Sequence, residues 1–219
     1  MVEAHVQSNL KDALVPGLQF SPSGSSAEYV SSSKMVRFYA ESGDRFSQAS
    51  KVIRFRLIDD CWMQAGSARM QVTLNNLSSA PLTPIAHPAC MFSQARLYLG
   101  GQLVETLDEN QVLSTLIDRF KPAWRQITDS MENHVINPAD GSRLPLRANQ
   151  SRRLVFELGF GILRQPLWLP LHMLSQLVVE LTLGPANQAF AESGAAWDLS
   201  DVSMLAQCNH VDSSITAQY

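Results

Sequence analysis

Alternation of apolar and polar residues at a period of two is what most constrains this chain. In the stretch 51–58 the residues Ile53, Phe55 and Leu57 point one way while Arg54 and Arg56 point the other. Successive side chains of a strand leave opposite faces of the sheet, so this pattern describes a strand with one dry face and one wet face. The same alternation recurs over 69–74 (Met70, Val72, Leu74), 94–99 (Ala95, Leu97, Leu99), 153–160 (Leu154, Phe156, Leu158, Phe160) and 176–183 (Leu177, Val179, Leu181, Leu183). A further strand pair is expected over 196–199 and 202–211. Half-buried strands are the antiparallel habit. About eight short strands, with no internal repeat and no strand-helix-strand rhythm, predict an all-β antiparallel eight-stranded sandwich with one or two short helices in loops.

Punctuation refines this plan. Gly100-Gly101 separates two alternating runs and supplies the positive φ values of a tight hairpin turn. Thr106-Leu-Asp-Glu109 matches the capping box, which predicts a helix start there. Leu113, Leu116, Ile117 and Phe120 then fall on one apolar face, and Pro122 ends the helix after about three turns. Residues 121–151 lose all periodicity and read as a long surface excursion. The Pro-, Gly- and Ser-rich residues 1–33 read as a flexible arm, with order beginning at Lys34. Pro166 to Pro170 is too proline-bounded for a central strand, and Gly159-Phe-Gly161 reads as a bulge or bend. The expected organisation is an arm over 1–33, one domain over 34–215 and a tail over 216–219.

Composition narrows the function. Of 219 residues 45% are hydrophobic, ample for a core, and a net charge of -3 argues against direct nucleic-acid binding or adhesion to an anionic membrane. The longest apolar runs are too short to span a bilayer, and the N-terminus lacks the apolar core of a signal peptide. Cys61, Cys90 and Cys208 are too few and scattered for a disulfide framework or redox pair, which matches a reducing compartment. Asn76-Leu-Ser78 and Asn149-Gln-Ser151 match the glycan acceptor pattern.

No chemistry assembles from the motifs. Gly159-Phe-Gly161 lacks the third glycine and the strand-turn-helix context of a phosphate loop. His87-Pro-Ala-Cys90 could present two metal ligands, but a structural zinc needs four and no second pair is present. No serine sits in a G-x-S-x-G elbow. His5, His87, His134, His172 and His210 are scattered, and His172 lies in an apolar stretch suited to a core or interface histidine. Asp59-Asp60 reads as a strand-ending turn and Asp108-Glu109 as favourable charge at a helix N-terminus. Trp62, Trp124, Trp168 and Trp197 read as core. The reading names no catalytic, cofactor-binding or metal residue, no cofactor and no small-molecule substrate.

The stretch Met91 to Leu107 (MFSQARLYLGGQLVETL), with the helix that follows, resembles the first jelly roll of double jelly-roll major capsid proteins of the adenovirus-like and giant-DNA-virus lineage. Leu167-Trp-Leu-Pro-Leu171, the strand 176–183 and Trp197 to Leu205 resemble the close of the same roll, and together these cover most of 34–215. The resemblance implies a jelly roll, a trimeric coat protein with lattice contacts, outward-rising loops, and a place in the virion, with the host cytoplasm or nucleus before assembly. The relatives carry two rolls per chain, and Tyr219 falls about where the first would finish. The expectation is therefore a partial or endogenous viral copy, or a single-roll coat protein. The rival readings are a lectin-like or protein-binding sandwich module and, less favoured, a cupin-like enzyme, which needs clustered histidines.

Overall fold

The structure is a computed structural model that describes residues 30–120, 122, 143–174, 176–192 and 194–211. Two compact units divide the chain, residues 1–32 with 210–219 and residues 33–209. Of the first, Val30–Ser32, His210 and Val211 are described, all in extended backbone. The second holds the two sheets.

One sheet has four strands in the order β3 (Val52–Leu57), β10 (Leu177–Leu183), β6 (Phe92–Leu99) and β7 (Gln102–Leu107), all antiparallel. Its register explains its core. Ile53, Leu181 and Ala95 form one buried row, and Phe55, Val179 and Leu97 form the next. Between them, on the wet face, Glu180 lies opposite both Arg54 and Arg96, with Arg54 Nη2 at 2.5 Å and Arg96 Nη1 at 3.9 Å. The hydrogen bond to Glu180, and its charge, hold the Arg54 guanidinium above its ordinary pKa. The predicted hairpin is present: Leu99 pairs with Gln102 across Gly100 (φ +57) and Gly101 (φ +81). Both values are left-handed, as a two-residue primed turn requires.

The other sheet has seven strands. Its path is β8 (Ser151–Phe156), β5 (Arg69–Asn76), β11 (Trp197–Val211), β4 (Trp62–Gln64) and β9 (Trp168–Pro170), while β1 (Val30–Tyr39) and β2 (Arg45–Phe46) also pair with β11. Met70 opposite Phe156 and Val72 opposite Leu154 continue the core, into which Phe46, Phe92, Phe160 and Phe190 also pack. Burial of these large side chains, at about 1.5–3 kcal/mol each, is the main stabilising term.

Several expectations are corrected. The described residues hold eleven strands instead of eight, because short interruptions split longer tracks: the 3-10 turn Ala65–Ser67 parts β4 from β5. Among the described residues, β1 already includes Val30 to Ser33, ahead of Lys34. The two strands expected over 196–211 are one, β11, kinked by a bulge between Ser200 and Ser203 where Asp201 takes φ +50. β8 stops at Phe156, although Leu158 and Phe160 stay buried beyond it. Pro170 ends an edge strand, in keeping with the proline argument. Most of the 121–151 excursion and of the 1–33 arm, and the 216–219 tail, lie outside the described residues.

Helix α1 (Asn110–Phe120) starts three residues later than the capping box suggests. Thr106 belongs to β7 opposite Arg96, and Glu109 adopts φ +52, so no helical turn can include them. A second helix, α2 (Ala186–Ala189), is a single turn.

Candidate interaction surface

Helix α1 is amphipathic in the opposite sense to a core-packing helix. Its inward residues are polar: Asn110, Gln111 and Asp118 are buried, with Ser114 and Thr115 partly so. Asn110 and Asp118 tie the two ends of this inward side to other elements. Asn110 donates from Nδ2 to the carbonyls of Ala89 (2.9 Å) and Phe92 (3.2 Å), Thr115 Oγ1 donates to the Gln111 carbonyl at 2.7 Å, and Asp118 pairs with Arg143. The apolar stripe faces out. Val112, Leu113, Leu116, Ile117 and Phe120 are between 39% and 85% exposed. An isolated surface helix buries its apolar stripe and exposes its polar face; here the hydrogen bonds and the ion pair enforce the reverse. β7, which leads into the helix, is the outer strand of its sheet and exposes Leu103 and Val104.

Several of the polar residues that the sequence singles out have structural partners. His87 Nδ1 accepts from the Ala89 amide at 3.2 Å, capping the 3-10 turn Pro88–Met91, and its ring packs edge-on against Phe156 at 5.8 Å. Cys90, in that turn, donates to the Ala189 carbonyl at 3.8 Å, and burial pushes its thiol up to about 12. His172 packs edge-on against Trp62 at 5.6 Å but is exposed, so it is not the core histidine that its apolar neighbours suggest. His5, His134 and Trp124 lie outside the described residues. Trp197 is buried against Phe190, whereas Trp168 is exposed on β9. Gly161 donates its amide to the Glu105 carboxylate at 2.7 Å, so the Gly159-Phe-Gly161 segment is a bend held against β7. Asp108 accepts from Gln94 and Thr106 and caps no helix. Asn76 is 1% exposed and its Nδ2 donates to the carbonyls of Ala80, Leu146 and Arg147, which leaves no room for a glycan; Asn149 is exposed at a turn with φ +56.

Sequence reasoning missed one grouping. Cys61 and Cys208, far apart in the chain, meet where β4 pairs with the end of β11, and their sulfurs and an Asp59 oxygen all lie within 4.8 Å of one another. Burial raises the Cys61 thiol, and the hydrogen bond with Cys208 raises it further; burial likewise raises Cys208. Protonated, buried thiols are inert, and three donors fall short of the four of a structural zinc site. Nothing in the residue spacing signals this meeting. A cavity lined by Leu74, Pro84, Ala86 and Phe190 holds about 20 Å³, room for one water and no ligand. Among the described residues no helix is long and apolar enough to cross a membrane.

No protein-family model and no curated protein matches the chain. Solved structures do. A quasi-atomic model of the PBCV-1 virus capsid matches with a TM-score of 0.53 at 13% identity, over 87% of this chain and 45% of that one. The structure of the Sputnik virophage matches with a TM-score of 0.52 at 12% identity, over 91% of this chain and 52% of that one. The chain thus spans about half the length of the structures it matches. The resemblance to double jelly-roll viral capsid proteins read from the residues is met at the level of fold.

Proposed function

We propose that this chain is a non-enzymatic structural subunit of a virus-like shell, acting through self-association in a trimer and lattice and residing in the virion. The observation that carries this reading is the shared fold with the PBCV-1 and Sputnik shell structures over most of this chain. Strand order supports the jelly-roll form of that fold. Taking β1 with β2, β4 with β5 and β8 with β9 as single tracks, the larger sheet runs β1/β2, β11, β4/β5, β8/β9, against β3, β10, β6, β7 in the smaller. Eight tracks arise, and the chain passes between the sheets at every step except β6 to β7, as two interleaved Greek keys require. A single sandwich over 34–215, preceded by an arm, would supply one such roll.

A shell subunit needs lateral faces that repeat by symmetry, not a pocket. Negative-stain microscopy of the purified protein at high concentration tests the proposal: ordered sheets or shells are expected. Featureless monomers together with a melting shift on adding a sugar or peptide ligand would overturn it in favour of a binding module.

A further inference from the structure

We infer that the outward stripe of α1, with Leu103 and Val104 of β7, is the surface on which a second copy of this chain docks. The inference rests on the shell reading and assigns its contact. Three observations carry it. The first is area. The five large apolar side chains of the stripe, exposed from 39% to 85%, leave on the order of 400 Å² of apolar surface bare. That lies within the about 300–600 Å² of the largest patch on a typical monomer, and it is about half of the about 800 Å² that each side of a standard interface buries.

The second is rigidity. Asn110 holds the first turn of α1 to the Ala89 and Phe92 carbonyls and the Asp118 pair with Arg143 holds the last, so the helix cannot roll to hide its stripe. The polar side is committed to the protein's own interior, and a net charge of -3 does not favour adhesion to an anionic membrane surface. The third is the neighbouring edge. β7 is the outer strand of its sheet and exposes Leu103 and Val104 beside its unpaired backbone groups, although Glu105 and a bulge opposite Leu97 and Tyr98 limit how far another strand could extend along it. A second copy covers stripe and edge alike, and a shell subunit supplies that copy at every repeat.

Sedimentation velocity tests this with three full-length variants beside the wild type. L116E/I117E places two charges in the contact and F120A removes its most exposed ring, while I58E carries a charge to an exposed apolar site away from it. The expected result is a wild-type oligomer that I58E retains, that F120A weakens, and that L116E/I117E weakens by about 100-fold or more with its melting temperature as a monomer unchanged. An oligomer unaffected by L116E/I117E overturns the assignment while leaving self-association standing. A wild type that stays monomeric, with L116E/I117E unfolding at lower temperature, overturns it too, because the stripe is then covered by the chain itself. A monomeric wild type that also fails to assemble on the microscope grid removes the shell reading as well.

Discussion

Asp118, on the inward side of α1, forms an ion pair with Arg143, and both side chains are only 9% exposed. The pair fixes the last turn of a helix whose apolar side faces away from the core. A buried pair is costly to halve, because the survivor is left as an uncompensated charge. D118A should therefore lower stability by about 3–5 kcal/mol, and a double replacement of Asp118 and Arg143 by leucine should recover much of that loss. Urea unfolding of the three proteins checks this, and equal losses in single and double variants would argue against the pair as the anchor.

Gly101 has open space around its missing side chain, so only its backbone resists substitution. At φ +81 an L-residue is strained by about 1–2 kcal/mol. G101A should lower the melting temperature by roughly 2–8 °C, whereas G194A, at a glycine also in open space but without a positive φ, should leave it nearly unchanged.

Phe156 and Phe120 predict opposite outcomes for the same truncation. Phe156 is fully buried, with the Phe92 ring at 6.2 Å and His87 at 5.8 Å. F156A should cost about 3–5 kcal/mol. Phe120 is 85% exposed, so F120A should change the stability of the dilute monomer by no more than about 0.5 kcal/mol. Thermal melts at low concentration distinguish them.

The buried thiols make stability fall at alkaline pH. An unfolded cysteine ionises near pH 8.5, whereas burial holds folded Cys90 at about 12. Between those values the folded chain keeps a proton that the unfolded chain releases, so stability is fully present below about pH 8.5 and declines as pH rises, by about 1.4 kcal/mol per pH unit. The gap in unfolding free energy between wild type and C90A should shift against the wild type by about 2 kcal/mol between about pH 8 and about pH 10. Cys61 and Cys208, raised in the same direction, retain their own contribution in C90A, so its stability should still decline, but less steeply.

Much of the sandwich was legible because burial on one face writes itself into alternate residues: Ile53, Phe55 and Leu57, or Leu177 through Leu183, could face a core in only one register. The hairpin was legible for a similar reason, since two glycines answer a backbone demand no other residue meets. The helix was half legible. Periodicity groups Leu113, Leu116, Ile117 and Phe120 on one side, but it cannot say whether that side meets the chain's own core, and only Asn110 and Asp118 reveal that it does not. Thr106 to Glu109 misled because a local capping motif lost to cross-strand pairing with β6. The meeting of Cys61 with Cys208 depends on where β11 passes β4, a long-range relation that residue spacing does not carry.

Light scattering on the purified full-length chain, followed from dilute to concentrated solution, tests the structural role most directly. A mass that climbs from 24.2 kDa to about three times that value is the expected result. A constant mass of one chain at every concentration would contradict it.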